Sequence, residues 1–469
     1  MRLALALALG LLSTTAFAAD PAPDRWHAKA RELLARSVEF KTVAGAGQVP
    51  AQAQYLADQF KAAGWADADI HVIPYEATQT NQTAALVVRW PAARKTAKKP
   101  ILLMAHMDVV PALREDWSVE PFTLTEQDGY LYGRGTSDNK LGVVAVTTAL
   151  LRLKAQGFKP SRDIVVLFTG DEETTGVGAR LGATEWRKWT DAEYALNSDG
   201  GGGGFGKDGR SLGFTMQTAE KTYSMYSFTV RNRGGHSSKP RADNAIYKLA
   251  DVLKRLEGYR FEPALNETTR AYFAAREKTE KGPLGDAMRR WLANPADGQA
   301  ADFIEADEGE VGLTRTRCVA TRLEGGHADN ALPQLARATV NCRIMPGTEP
   351  AAIRDELERV VGDPEVKVER TDDQAMSLAS PLRPDVLAAF TAAVHRRHPG
   401  APIMPEMSTG ASDARPFRVA GMPVYGADGG WGIVPDDLRA HGKDERIPVK
   451  ALHDDVDHWV DLLTTLAGK

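Results

Sequence analysis

The sequence predicts an α/β fold, in which a helix-covered mixed sheet forms a large domain and a ferredoxin-like α+β domain is inserted into it. The first observation is a pair of continuous apolar runs, 101–105 and 164–168, typical of strands buried on both faces of a sheet. The second is a helical segment from Leu141 to Gln156 between these runs, ended by Gly157. The third is a change after Thr218, where the elements follow a ferredoxin-like order.

A third strand of the large domain is predicted at 194–196. Strands that alternate with helices form a helix-covered sheet, because each crossover helix packs on a face of the sheet. The same pattern returns after Ser380, with a helix predicted from Pro384 to Arg397. The large domain is therefore expected to comprise residues 19–217 and 374–469.

The inserted domain is predicted at 218–373. Its elements have the order strand, helix, strand, strand, helix, strand, which defines a ferredoxin-like module. These elements are predicted at 223–231, 245–256, 315–323, 335–345, 349–361 and 366–370. A segment at 259–313, rich in alanine, glutamate and arginine, interrupts this order and is predicted to be helical.

The composition is that of a soluble globular protein, with 43% hydrophobic and 26% charged residues. The chain of 469 residues is too long for one ordinary hydrophobic core and suits two domains. The formal net charge is −4, and lysines and arginines are spread along the chain. Because the sequence has no basic block, no nucleic-acid partner is expected.

Residues 1–18 are expected to be a signal peptide. Arg2 supplies a positive charge, Leu3 to Leu12 form a short apolar run, and residues 16–18 have a small-x-small pattern. The alternative is an uncleaved membrane anchor, but the apolar run is about half of the roughly 20 residues that span a bilayer. The mature protein is therefore expected to be periplasmic or secreted, with no membrane association after cleavage.

The two cysteines, Cys318 and Cys342, lie in the two predicted strands of a hairpin, at equal distances from Asn330. Cysteines at such positions face each other across a ladder, and an oxidising compartment permits a disulfide between them. The alternative is two free thiols in the core, since cysteine is often simply buried. The sequence leaves both open.

Polar side chains follow each of the three strands predicted in the large domain. His106 and Asp108 follow the first strand, Glu172 and Glu173 the second, and Asp199 the third. Open α/β sheets place their sites at the carboxyl ends of strands, so these side chains are expected to meet. Each segment alone is typical of a charged turn or helix start. Together, imidazole and carboxylates without nearby cysteine predict a site for zinc or a similar divalent metal.

The sequence contains the motifs AHMDVVP at 105–111, GRGTSDNK at 133–140, GDEE at 170–173, GGHSS at 234–238, NALP at 330–333 together with Arg343, and GASDAR at 410–415. In these six motifs it resembles the dinuclear zinc peptidase superfamily. This superfamily includes glutamate carboxypeptidase, carboxypeptidase S, carnosinase-type dipeptidases, aminoacylase and succinyl-diaminopimelate desuccinylase. The resemblance extends from about residue 50 to the end of the chain.

The resemblance implies that the chain binds two zinc ions, with cobalt or manganese as possible substitutes. His106 and Asp199 are expected to hold one ion, Glu173 and His441 the other, and Asp138 is expected to bridge them. The position of His441 late in the chain and the Glu445 after it fit the superfamily, although a loop histidine without a metal is the alternative reading.

The resemblance also implies roles for residues around the metals. Glu172 is expected to be the general base, and Asp108 is expected to bond the far nitrogen of His106. The peptide bond between Asp138 and Asn139 is cis in relatives.

Three residues of the inserted domain are implicated in substrate binding by the same resemblance. His236 is expected to donate to the developing oxyanion and to reach the site of a partner subunit, so the inserted domain would serve as a lid and dimerisation domain. Arg343, with Asn330, is expected to hold a substrate carboxylate, because a guanidinium forms a planar fork onto it.

The function that the resemblance implies is a secreted zinc-dependent exopeptidase, either a dipeptidase or a carboxypeptidase, which hydrolyses small peptides through a metal-bridged water. Asp199 favours a peptidase, because deacylases and desuccinylases of the superfamily tend to have glutamate there. The alternative enzyme is an N-acyl-amino-acid deacylase or amidohydrolase. A non-catalytic binding protein is a further alternative, and the complete ligand set with Glu172 argues against it.

Overall fold

The computed structural model describes residues 23–468, so the signal peptide predicted at 1–18 lies outside the described residues. The described strands are β1 (Ile70–Thr78), β2 (Asn81–Trp90), β3 (Ile101–His106), β4 (Thr125–Gln127), β5 (Tyr130–Tyr132), β6 (Ile164–Thr169), β7 (Tyr194–Phe205), β8 (Ser211–Glu220), β9 (Thr222–Arg231), β10 (Gly235–His236), β11 (Arg317–Gly325), β12 (Ala331–Leu332), β13 (Leu335–Ile344), β14 (Val366–Arg370), β15 (Ile403–Ser408), β16 (Val424–Ile433) and β17 (Arg446–Pro448).

The described α-helices are α1 (Pro23–Glu39), α2 (Val49–Ala62), α3 (Lys140–Ala155), α4 (Val177–Ala183), α5 (Arg187–Thr190), α6 (Ala245–Gly258), α7 (Glu267–Thr279), α8 (Pro283–Ala293), α9 (Gly298–Glu305), α10 (Pro350–Val361), α11 (Pro384–His395), α12 (Ala414–Val419) and α13 (Val449–Ala467). Two short 3-10 helices lie at Asp67–Asp69 and Arg114–Asp116. Within residues 23–468, no helix combines the length and apolar character that crossing a bilayer requires.

An eight-stranded mixed sheet forms the large domain, in the order β1-β2-β6-β3-β7-β16-β8-β15. Strand β3 runs parallel to both β6 and β7, and every residue of β3 and β6 is buried. One face of the sheet is covered by α1, α2, α3, α11 and α13, and the other by α4, α5 and α12. The helix-covered mixed sheet predicted from the continuous apolar runs is therefore confirmed.

Strand β7 is longer than the predicted 194–196 and continues through a run of glycines to Phe205. The run permits close approach of neighbouring backbone, because a Cβ on Gly201 would lie 2.6 Å from the carbonyl oxygen of Thr215. Gly201 also has φ +88°, a conformation that favours glycine. Asp199 therefore lies within a long strand rather than after a short one.

The inserted domain contains a four-stranded antiparallel sheet in the order β11-β13-β9-β14. With α6 and α10 packed on one face, this is the ferredoxin-like arrangement that the order of elements predicts. The interrupting segment at 259–313 is helical as expected, and it forms α7, α8 and α9. Helix α7 packs against β15 of the large sheet, and Thr268 and Thr218 share a hydrogen bond of 2.8 Å.

Cys318 and Cys342 are paired in the β11–β13 ladder and form a disulfide. The structure thus selects the disulfide from the two alternatives that the sequence leaves open. The two cysteines are 24 residues apart, and closing a loop of this size stabilises a fold by about 3 kcal/mol through the lost entropy of the unfolded chain.

The two ends of the inserted sheet differ in their distance from the large domain. We call the end at Thr222 and Ile344 the hinge end, because only Lys221 separates β8 of the large sheet from β9. Arg231 and Leu335 form the far end. Nine residue steps along β9 at about 3.4 Å each place the two ends about 30 Å apart.

Candidate metal centre

His106 ends strand β3 and is 1% exposed. Its Nδ1 lies 3.0 Å from the backbone oxygen of Asp108, so Nδ1 carries the proton of the neutral ring and Nε2 is free to bind a metal. Nε2 lies 3.1 Å from Oδ1 of Asp138 and 3.9 Å from Oδ1 of Asp199. The strand end therefore presents an imidazole nitrogen to two carboxylates.

Asp138 lies between two histidines. Its Oδ1 faces His106, while its Oδ2 lies 3.1 Å from Nε2 of His441. His441 Nε2 is also 2.9 Å from Oε2 of Glu173. A carboxylate with one oxygen toward each imidazole has the placement that a bridging ligand needs.

The donor set fits divalent metals. Ligand atoms of His106, Asp138 and Glu173 lie within 4.8 Å of one another, and so do those of His106, Glu172 and Asp199. Imidazole nitrogens and carboxylate oxygens without cysteine are suitable ligands for zinc and for neighbouring divalent ions. All five residues predicted as metal ligands are thus brought together, because His441 joins the first group through Glu173 and Asp138.

The electrostatics of the cluster also indicate a site for divalent metal ions. Burial, with the charge of Asp199 next, raises the pKa of Glu172 well above its usual value, and burial also raises the pKa of Asp199. Burial also tends to raise the pKa of Asp138, but hydrogen bonds with His106 and His441 outweigh burial and lower this pKa. Crowded buried carboxylates favour a compensating positive charge, which divalent cations provide.

Asp108 makes a different contact from the one expected. The nearest acceptor for Nδ1 of His106 is the Asp108 carbonyl, and the Asp108 carboxylate lies 3.6 Å from Nδ1. That carboxylate accepts hydrogen bonds of 3.1 Å from the backbone N–H groups of both Glu172 and Glu173. Asp108 therefore also positions the turn that carries the two glutamates.

Glu445, to which the sequence assigns no role, holds the loop that carries Asp138. Its fully buried carboxylate accepts hydrogen bonds from the backbone N–H groups of Gly135, Ser137 and Asp138 at 3.0, 2.8 and 3.0 Å. Arg134 pairs with the same carboxylate at 2.6 Å. Because Glu445 is 307 residues from Asp138 in the chain, no local pattern signals this contact.

Asn139 links this loop to the ends of two strands. The peptide bond between Asp138 and Asn139 is cis, as the resemblance implies. The Asn139 side chain donates to the backbone oxygen of Ser198 at 3.1 Å and accepts from the hydroxyl of Ser198 at 3.1 Å. It also accepts from the backbone N–H of His106 at 3.4 Å. Asn139 therefore fixes the spacing between β3, β7 and Asp138.

The three substrate-binding candidates lie at opposite ends of the inserted sheet. His236 and Asn330 belong to a small ribbon beyond the far end, where Ser237 N–H donates to the Asn330 carbonyl at 3.0 Å. Arg343 lies at the hinge end, opposite Arg317. Eight residue steps along β13 from Leu335 to Arg343 span about 27 Å. The structure does not bring Arg343 and Asn330 together within one chain.

We expect the affinity of the metal-free protein for zinc to rise with pH up to about 9. A hydrogen bond with Asp138, opposed by burial and aided by Glu173, raises the pKa of His441 from 6.5 to about 9. The bound proton occupies the nitrogen that a metal needs, so zinc must displace it. By the same linkage, protonated His441 stabilises the metal-free fold fully below about pH 6.5, and this contribution is lost as pH rises through about 9.

Competition titrations against a chelator between pH 6.5 and 9 measure this dependence. The variant His441→Gln should show a flatter profile, whereas His327→Gln, at an exposed loop position, should match the wild type. An affinity that does not change with pH would contradict the assignment of His441.

An α/β domain with imidazoles and carboxylates gathered at one sheet edge is typical of metal-dependent hydrolases. Residues 102–465 match the model of peptidase family M20/M25/M40. The chain is 30% identical over 409 residues to probable carboxypeptidase S-like 2 of Dictyostelium discoideum, covering 81% of this chain and 74% of that protein. It is 30% identical over 392 residues to human N-fatty-acyl-amino acid synthase/hydrolase PM20D1, covering 78% of this chain and 74% of that protein.

The fold is also similar to that of a crystal structure with low sequence identity. The M20 family metallo-carboxypeptidase Sso-CP2 from Sulfolobus solfataricus aligns with a TM-score of 0.66 at 18% identity, covering 93% of this chain and 98% of that chain. The chain therefore belongs to peptidase family M20/M25/M40, a family of metal-dependent enzymes, and it is a hydrolase that acts on peptide bonds.

Proposed function

We propose that the protein is a secreted, zinc-dependent exopeptidase, either a dipeptidase or a carboxypeptidase, acting on small peptides. The observation that carries this proposal is the placement of Asp138, with one carboxylate oxygen toward His106 and the other toward His441. Membership of a metal-dependent peptidase family supports it. Asp199 favours a peptidase, because deacylases of the superfamily that the sequence resembles tend to have glutamate at this position.

Two zinc ions suit this donor set. His106 and Asp199 would hold one ion, Glu173 and His441 the other, and Asp138 would bridge them. When bound, such ions activate water at neutral pH and polarise the scissile carbonyl.

Glu172 is suited to be the general base. Burial, with the charge of Asp199 next, raises its pKa, so the carboxylate holds a proton more readily than an exposed glutamate does. The backbone N–H of Glu172 donates to the Asp108 carboxylate at 3.1 Å, which fixes the start of the side chain beside His106. Glu172 would take a proton from water and pass it to the leaving amine.

His236 is suited to donate to an oxyanion. Its Nδ1 accepts a hydrogen bond of 3.1 Å from the backbone N–H of Ser238, so the proton of the neutral ring lies on Nε2. The side chain is exposed, so this donor is available to a substrate or to another subunit. Since His236 and Asn330 lie about 30 Å from the hinge end, we propose that a homodimer supplies them to the partner's site.

Complementation between two inactive variants tests this arrangement. His236→Ala and Glu172→Gln should each be inactive alone, and mixing them after dissociation should restore about a quarter of wild-type activity, because half of the dimers are mixed and each has one intact site. Light scattering of the wild type should give the mass of a dimer. A monomeric enzyme of full activity would contradict the proposal, as would a mixture that stays inactive.

The second candidate function is hydrolysis of N-acylated amino acids. The similarity to N-fatty-acyl-amino acid synthase/hydrolase PM20D1 favours it. A substrate panel of dipeptides, tripeptides and acetyl-, succinyl- and long-chain acyl-amino acids separates the two candidates, assayed with zinc, cobalt and manganese in turn. We expect kcat/KM to be highest for dipeptides. Cleavage of acylated amino acids but not of peptides would overturn the peptidase proposal.

Secretion is supported by two features. The segment 1–18 has the charge, apolar run and small-x-small pattern of a signal peptide. The disulfide between Cys318 and Cys342 suits an oxidising compartment. We therefore propose that the mature enzyme acts in the periplasm or outside the cell.

A further inference from the structure

A cavity of about 710 Å³ lies beside the hinge end of the inserted sheet. Its walls come from β11, the end of α6 and the segment 311–316, and Arg343 and Thr409 complete it. Arg343 donates to the Thr409 carbonyl at 3.4 Å. Thr409 is close in sequence to Asp413, whose carboxylate accepts a hydrogen bond from Thr169 at the end of β6. The cavity thus adjoins the segment that leads to the metal centre.

Six cationic side chains line the cavity, and two of them, Lys254 and Arg260, are exposed. Arg343 is half-buried and stacks on the ring of Tyr223, and Lys221 is fully buried. Among residues 23–468, the contacts of these two side chains include hydrogen bonds to carbonyl oxygens and no carboxylate within ion-pair distance. The other two cations are Arg315 and Arg317.

Arg315 carries unused hydrogen-bond donors. The residue is 2% exposed, and its Nη1 lies 2.8 Å from Oδ1 of Asp302. In the described part of the chain, its buried Nε and Nη2 have no hydrogen-bond partner. Arg317 lies 3.4 Å from Glu305. Each of these two arginines is therefore paired with an acid, whereas Arg343 and Lys221 are not.

This imbalance predicts an anionic ligand. Burial is the main factor that lowers the pKa of Lys221 to about 7. The charges of Arg317 and Arg343 also lower this pKa, whereas the charge of Glu305 raises it. Buried positive charge without a partner is costly, so a site that keeps it is suited to a ligand of opposite charge. Glu257 also lines the cavity, but Lys254 pairs with it. The lining therefore carries more positive than negative charge, which suits an anionic ligand.

We propose that this cavity selects substrates whose carboxyl-terminal residue is aspartate or glutamate. The inference rests on the proposed function and on the role that the resemblance implies for Arg343, which is to hold the α-carboxylate of the substrate. The side-chain carboxylate of the same residue then extends into the cavity toward Arg317 and Lys221. A neutral side chain of equal size would bring no negative charge to these cations, so the site discriminates by charge rather than by volume.

Isosteric substrates test the proposal on the full-length mature enzyme. We expect kcat/KM for Ala-Glu to exceed that for Ala-Gln by at least about tenfold, and likewise for acetyl-glutamate over acetyl-glutamine. Arg317→Gln should lower this ratio about tenfold with little effect on the glutamine substrates. Arg317 is partly exposed, so the variant should fold, and its melting temperature checks this. Arg322→Gln, an exposed arginine on the same strand, is the matched control and should leave the ratio unchanged.

A binding measurement keeps the inference separate from the proposed reaction. Calorimetry with the Glu172→Gln enzyme should show that free glutamate binds more tightly than free glutamine, and that Arg317→Gln removes the difference. Equal rates and equal binding for the glutamate and glutamine pairs would overturn the inference, as would a preference for phenylalanine or leucine. Glutamate-selective binding without hydrolysis of any substrate would contradict the proposed function alone.

Discussion

Replacing Glu172 with glutamine is expected to lower kcat by about 10²–10⁴-fold, the contribution that a positioned general base makes. Glutamine keeps the shape of the side chain but does not accept a proton from water. The ligands assigned to the metals are other residues, namely His106, Asp138, Glu173, Asp199 and His441. Metal content, measured by mass spectrometry after dialysis, should therefore stay at two ions per chain while turnover falls.

The exposed Glu185 offers a matched control for this experiment. Glu185→Gln makes the same chemical change on the same chain and should leave kcat and metal content unchanged. A wild-type rate in Glu172→Gln would refute the role of Glu172 as base. A variant that loses both turnover and one metal ion would instead make Glu172 a ligand, which its distance to His106 and Asp199 also permits.

Asp138→Asn is expected to have the largest effect on metal binding of any single substitution in the site. Asp138 faces both His106 and His441, so the loss of its charge weakens both metal positions at once. Outer-shell partners of metal ligands already contribute about 10–100-fold in affinity, and a bridging ligand should contribute more. We expect fewer than two ions per chain after dialysis against a chelator, and activity below detection.

The control for Asp138→Asn is Asp116→Asn, at an exposed position outside the cluster. It should bind metal and turn over substrate like the wild type. Circular dichroism should show that Asp138→Asn keeps its secondary structure, because the loop remains held by Glu445 through the backbone N–H groups of Gly135 and Ser137. Retention of two tightly bound ions in Asp138→Asn would contradict the bridging assignment.

Local patterns in the sequence predicted much of the fold and of the candidate site. The apolar runs at 101–105 and 164–168 are strands β3 and β6, because only strands covered on both faces tolerate continuous apolar residues. The polar residues that follow them meet at one sheet edge, because β3 and β6 are parallel and adjacent. The hairpin symmetry about Asn330 matches the register that pairs Cys318 with Cys342.

Contacts between distant segments were not predictable in the same way. Glu445 supports the Asp138 loop across 307 residues, and no periodicity or motif reports a contact of that range. The separation of Arg343 from Asn330 depends on how long β13 runs without interruption, which strand propensity alone does not fix. Unused donors on Arg315 are visible only once its surroundings are known.

Because the inserted sheet joins the large domain at its hinge end, a small rotation there would move the far end through a larger distance. A rotation of about 10° at Lys221 would carry the tip with His236 through an arc of about 5 Å, since the arm is about 30 Å long. Arg343, close to the pivot, would hardly move. In the proposed homodimer, a substrate carboxylate held by Arg343 would stay in place while the imidazole of His236 moves relative to the partner subunit, so substrate binding and oxyanion stabilisation would be mechanically separable.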